Sequence, residues 1–133
     1  MAIFFNKVKR GNPSDKSAPI LWYAVLKSVG MTKEKQVAKE LADETTLNPK
    51  EAEMSVHQLQ KVVVKNLLAG NTVQLGELGS FRLTAKSKGS ATEDEVTANN
   101  VIDLNVRFTP SESLKDALKK AVIRDVSSML PPK

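Results

Sequence analysis

Arg82, Thr84, Lys86 and Lys88 take every second position between Ser80 and Lys88, and Phe81, Leu83 and Ala85 take the positions between them. A strand turns successive side chains to opposite faces, so this spacing gathers the cations on one side and the apolar residues on the other. A later run has the same period: Ile102, Leu104, Val106 and Phe108 alternate with Asp103, Asn105 and Arg107, which brings Arg107 to the cation side. A two-stranded ribbon with a basic face can lie along a nucleic-acid groove and neutralise phosphates. A solvated ribbon face has the same pattern, and by pattern alone the two readings are level.

Other chemistry finds little to stand on. The chain has no Cys, which excludes disulfides, thiolate metal sites and a thiol nucleophile. The single histidine, His57, follows Val56 inside a helical pattern and has no partners for general-base work. Glu93, Asp94 and Glu95 lack the ligand spacing and the glycine of a calcium loop, so no metal site is expected. Gly76-Glu77-Leu78-Gly79 joins strand to strand, which is no nucleotide fingerprint. Trp22 and Tyr23 could stack on bases, although strand aromatics more often fill a core. The expectation is a protein with no catalytic residues, no cofactor and no small-molecule substrate.

The 133 residues hold 20 Lys/Arg against 15 Asp/Glu, a net charge of +5. The excess sits at the ends: residues 1–40 carry eight basic against three acidic residues, and 111–133 carry five against three. A basic balance suits a polyanionic partner. No apolar run approaches a membrane span. The apolar Ala2 to Phe5 precedes Lys7, Lys9 and Arg10, the reverse of a secretory signal, so a cytoplasmic location is expected.

The elements that must hold the ribbon follow from periodicity and punctuation. Ile3 to Arg10 reads as a strand, Gly11 to Asp15 as a turn and Ile20 to Val29 as a second strand, making residues 1–30 an extended β-hairpin appendage. A helix follows, capped by Thr32, with Val37, Ala38, Leu41 and Ala42 as its stripe. The next helix is the best marked: Asn48 as N-cap, Pro49 at the first helical position, Glu51 completing a capping box, and Gly70 ending it. Its apolar residues Ala52, Val56, Leu59, Val63 and Leu67, widened by Val62, Val64 and Leu68, exceed what one short helix can cover. The sheet or a second chain must cover the rest. Thr72 to Leu75 and the corner Gly76–Gly79 lead into the ribbon, whose two strands are joined by about a dozen polar residues, a protruding and partly mobile arm over about residues 86–101. Thr109-Pro110-Ser111-Glu112 reads as another capping box, opening a last helix with Leu114, Ala117, Leu118, Ala121 and Val122 inward. Residues 123–133 are left as a tail, in which Pro131 and Pro132 end any helix.

The run from Gly70 to Leu83, through Val73-Gln74-Leu75-Gly76-Glu77-Leu78-Gly79-Ser80-Phe81, resembles the signature G-x-x-V-x-L-x-G-F-G-x-F of the bacterial histone-like HU and integration host factor family. Phe108-Thr109-Pro110 followed by Leu114-Lys115-Asp116-Ala117-Leu118 resembles that family's closing F-x-P-x-x-x-L-K-x-x-V. The resemblance covers about residues 31–122, and the added strands look like the N-terminal extension of the HU-related variant of Bacteroides-type bacteria.

The resemblance implies an α+β fold of the HU type: an intertwined homodimer with a two-helix core, a three-stranded antiparallel sheet with a protruding β-arm, and a closing helix, here with extra N-terminal β-strands. It implies a saddle for double-stranded DNA and a location in the nucleoid. HU and integration host factor bind and bend DNA through the minor groove, a mechanism that comes from the resemblance alone. Carried onto this chain, the resemblance places DNA-binding positions at Gly79 and Ser80 on the phosphate-approaching turn, Arg82 and Arg107 on the sheet, Lys86 at the arm base, and Lys115 and Lys119 on the closing helix; the strand alternation adds Thr84 and Lys88. Lys7, Lys9 and Arg10 are possible additions.

The chain also departs from the family. The arm tip reads Gly89-Ser90-Ala91-Thr92-Glu93-Asp94-Glu95 where the family has Arg-Asn-Pro, so it lacks the wedge residue and carries charge that phosphate repels. Glu77 replaces a glycine, and Glu112 stands where a Lys is frequent. An alternative reading follows: an HU-fold structural or protein-interaction module with weak or no DNA bending, working through the acidic tip and the N-terminal strands.

Overall fold

The computed structural model describes residues 1–129. They fall into two compact units, one spanning Lys33–Ala117 and one combining Met1–Thr32 with the segment from Leu118 onward.

In the 33–117 unit, helix α1 (Glu34–Asp43) and helix α2 (Pro49–Leu68) pack on each other. The start of α2 is closed as its sequence dictates: the Asn48 side chain accepts from the Glu51 backbone N–H at 2.9 Å, and the Glu51 carboxylate accepts from the Asn48 N–H at 3.4 Å. Gly70, at φ +86°, turns the chain out of the helix. The expected cap of α1 is corrected. Lys33, not Thr32, is the N-cap, and no side chain bonds there.

Strands β3 (Val73–Gln74), β4 (Gly79–Ser87) and β5 (Val101–Pro110) form an antiparallel sheet in that order. Phe81 lies opposite Phe108 and Leu83 opposite Val106, with the two phenyl rings tilted at 5.0 Å. The corner between β3 and β4 is tied on both sides. Leu75 N–H donates to Gly79 O at 2.8 Å and Leu78 N–H to Leu75 O at 3.0 Å. Ser111 donates its hydroxyl to Glu77 O and its N–H to Leu78 O. Ser111 Oγ also accepts from Leu114 N–H at 3.1 Å. The cap of the last helix, α3 (Glu112–Lys119), is therefore Ser111 rather than Thr109, and Pro110 belongs to β5.

In the other unit, β1 (Ile3–Arg10) and β2 (Leu21–Lys27) form the expected hairpin. Ile123–Asp125, assigned to a tail from the sequence, forms strand β6 and pairs with β1 in parallel, giving the order β2-β1-β6. This pairing also shortens α3. Ile3 N–H donates to Val122 O at 2.8 Å, which draws Val122 out of the helix expected to include it. Pro131 and Pro132 lie outside the described residues.

Very little apolar surface is buried. Among the described residues, Ala38, Ala52 and Leu67 are the buried hydrophobics. Leu59 on α2 is 46 % exposed, and Val106 on β5 is 57 % exposed. The α2 stripe read from the sequence is thus closed at Ala52 and Leu67 and open at Leu59, Val62 and Val64.

Candidate nucleic-acid interface

The face opposite the phenyl pair carries the charge. Side chains directly across an antiparallel ladder share a face and sit about 5 Å apart at Cβ. Arg82 lies opposite Arg107, Thr84 opposite Asn105, and Lys86 opposite Ile102. The structure thus brings Arg82, Thr84, Lys86 and Arg107 to one side of the ribbon. Arg82, Lys86 and Arg107 are exposed, and among the described residues none of them has a carboxylate partner.

One part of the expected alternation does not hold. The register shifts between Thr84 and Lys86, so two residues of β5 face Ala85 of β4. This is a β-bulge, with Asp103 in the left-handed region at φ +51°. Asn105 Nδ2 donates to Asp103 O at 3.0 Å and braces it. The extra residue reverses β5 beyond the bulge and places Ile102 on the cation face, not on the Val106 face.

Lys88 lies past the end of β4, in the connection from 88 to 100. The connection folds into two short 3-10 turns, Glu93–Glu95 and Ala98–Asn100. Asn100 holds it: its Nδ2 donates to Lys88 O at 2.9 Å and to Ser90 Oγ at 2.8 Å. Its Oδ1 accepts from Thr97 N–H at 2.8 Å, and its carbonyl accepts from Lys88 N–H at 2.7 Å. No sequence signal singled out Asn100. Asp103 had a faint one, since Asp tolerates the left-handed region better than most residues. The tip carboxylates Glu93, Asp94 and Glu95 are exposed.

The remaining expected positions are dispersed. Gly79 is buried, and the space a Cβ would take is filled by Thr109 O and the Phe108 ring, so strand packing accounts for this glycine. Ser80 is half-buried beside it. Lys115 sits 3.7 Å from Glu112 on α3, and Lys119 ends that helix. Lys7, Lys9 and Arg10 are not brought together. Lys7 pairs with Asp125 at 3.1 Å, Lys9 lies over Trp22, and Arg10 points from the opposite face of β1 to Lys9. His57 Nδ1 is 3.7 Å from Glu34 Oε1, both exposed, joining α2 to α1.

Arg82 opposite Arg107 is a like-charge pair, which disfavours the empty ribbon. The Arg82→Gln variant is expected to raise the melting temperature slightly, by a gain of a few tenths of a kcal/mol, while weakening polyanion binding. A calorimetric scan with and without a polyanion reads both. A fall in stability would mean that the pair is not repulsive.

The fold and the ribbon define an HU-like protein. The family described as "HU domain fused to wHTH, Ig, or Glycine-rich motif" matches residues 1–124, and the chain belongs to it. Among solved structures, a Bacteroides vulgatus protein, provisionally described as a bacterial DNA-binding protein, aligns over 94 % of this chain with a TM-score of 0.65 and 13 % identity. This chain spans about half of that protein, 48 % of its length. Anabaena HU, in a cocrystal with DNA, aligns over 67 % of this chain and 99 % of its own, with a TM-score of 0.53 and 13 % identity. No curated protein matches the chain. Among the described residues, no helix is long and apolar enough to cross a membrane.

Proposed function

We propose that the chain binds double-stranded DNA without sequence specificity, as a homodimeric nucleoid-associated protein of the cytoplasm. The observation that carries this reading is the ribbon face on which Arg82, Arg107 and Lys86 gather without carboxylate partners. Such a face binds by neutralising phosphates and releasing counterions. Lys88 at the arm base, Lys115 and Lys119 on α3, and half-buried Ser80, positioned by the buried Gly79, extend the binding surface. Sequence readout is weak, because Asn105, the amide on this face, is engaged with the bulge. The match to an HU family and the likeness to an HU that was crystallised on DNA support the reading. The scarcity of buried apolar residues supports the dimer: helices and sheet leave open the surface that an intertwined partner covers.

A second reading is an HU-fold structural or protein-interaction module with weak or no DNA bending. The exposed acidic turn Glu93–Glu95 at the end of a basic ribbon favours it, since phosphate repels such a tip.

The Lys86→Glu/Lys88→Glu double variant tests whether the ribbon is the binding site. Duplex affinity is expected to fall at least tenfold, and the log–log salt slope to flatten by about 0.9 for each phosphate that is no longer neutralised. Fluorescence anisotropy on a labelled duplex measures both. Unchanged affinity and slope would remove the ribbon from the binding site.

A further inference from the structure

The two units divide the charge unequally. Residues 33–117 carry 11 Lys/Arg against 13 Asp/Glu, while 1–32 and 118–133 together carry nine against two. The positive balance of the chain therefore resides in the unit built on the β2-β1-β6 sheet, not in the unit that carries the ribbon. Both carboxylates of the basic unit are occupied. Asp15 accepts from the Ser17 hydroxyl at 2.6 Å and from its N–H at 3.0 Å. Asp125 accepts from Ser127 N–H at 3.0 Å and from Lys7 Nζ at 3.1 Å. These bonds hold both carboxyls below their usual range, so they stay ionised and locally engaged.

On one face of this sheet Lys9 lies opposite Trp22, its Nζ 5.9 Å from the ring centroid. Trp22 is 67 % exposed, and so is Leu26 on the same face of β2. An exposed aromatic ring offers a surface on which a base stacks, and the ammonium that lies over this ring can swing to the phosphate of the same nucleotide. Bases within a duplex are already stacked on each other, so the ring suits an unpaired one. Charge argues against a second copy, which would bring the same nine-against-two balance to the interface.

We infer that the Lys9–Trp22 face of the β2-β1-β6 sheet is a single-stranded nucleic-acid site, in which Trp22 stacks an unpaired base and Lys9 engages its phosphate. The inference deepens the nucleic-acid reading above, but it rests on other residues and another ligand. Single-stranded DNA and RNA share this chemistry.

The chain has one tryptophan, so its emission reports on the site directly. The full chain is titrated at low salt with oligothymidylate and oligouridylate of about a dozen nucleotides, following Trp22 emission. Labelled copies of the same oligonucleotides are followed by anisotropy with Trp22→Ala, Trp22→Phe and Lys9→Glu. Emission is expected to be quenched by one or both strands. Trp22→Ala is expected to bind about tenfold more weakly, the loss of one base stack, with Trp22→Phe losing less. Duplex affinity of Trp22→Ala is expected to change less than twofold, and Lys86→Glu/Lys88→Glu should show the reverse pattern. Unchanged emission at saturation, or equal oligonucleotide affinity in Trp22→Ala, overturns the site. So does emission that follows protein concentration alone, the signature of self-association. If circular dichroism shows Trp22→Ala unfolded, Trp22→Phe and Lys9→Glu decide. Quenching by single strands without any duplex binding would sink the ribbon reading and leave this one standing; the opposite outcome would do the converse.

Discussion

Val106→Glu is expected to break the proposed homodimer and to destabilise the fold with it. Val106 lies opposite Leu83 on the phenyl side of the sheet and is 57 % exposed in one chain. At an exposed position of a monomer, such a change costs little, within about 0.5 kcal/mol. Where the partner of the proposed dimer covers this position, an unpaired carboxylate buried there costs about 3 kcal/mol or more. That loss weakens association by at least about a hundredfold. Light scattering at micromolar concentration, with a denaturant titration at two protein concentrations, separates the cases. The wild type is expected at twice the chain mass with concentration-dependent stability, and the variant as an unfolded or weakly folded monomer. A wild type at single-chain mass would sink the dimer, and a variant still at twice the chain mass with an unchanged midpoint would take Val106 out of its interface.

Gly79→Ala is expected to be the most damaging small substitution in the fold. A Cβ there would lie 2.3 Å from Thr109 O and 2.9 Å from two atoms of the Phe108 ring. The residue also sits at φ +145°, a conformation closed to L side chains. Neither obstacle can move cheaply, since one is the backbone of the neighbouring strand and the other belongs to the phenyl pair. The first rung between β4 and β5, Gly79 opposite Pro110, must open. A loss of about 3 kcal/mol, or a drop of roughly 10–20 °C in melting temperature, is expected. Gly89→Ala is the control: nothing lies within 4 Å of its added methyl, and it should melt with the wild type. Equal melting of the two variants would contradict the packing described for the corner.

Much of this arrangement was legible in the residues. Asn48, Pro49 and Glu51 specify a helix start by local chemistry alone, and α2 begins where they place it. The alternation through Arg82, Thr84 and Lys86 carried the cation face, because strand period is a local property. Where pairing between distant segments decides, the pattern was silent or misleading. Ile102, Leu104, Val106 and Phe108 keep their period through the bulge, so nothing in them betrays that Asp103 shifts the register. β6 is three residues long, too short to carry a period, and it exists because β1 offers an edge. Both misplaced caps fell one or two residues early, since Thr32 and Thr109 are good caps in the wrong positions. The parity of Lys9 and Arg10 could have separated them, as adjacent strand residues face opposite ways. The openness of Trp22 ran against the pattern, since strand aromatics more often fill a core.

The central claim is tested most directly by the affinity of the full chain for a labelled 30-base-pair duplex, measured by anisotropy across a series of salt concentrations and with two unrelated sequences. Phosphate gripping by the ribbon predicts affinity that falls steeply and linearly on a log–log plot, with nearly equal affinities for both sequences. Absence of duplex binding at low salt, or binding indifferent to salt, would contradict it.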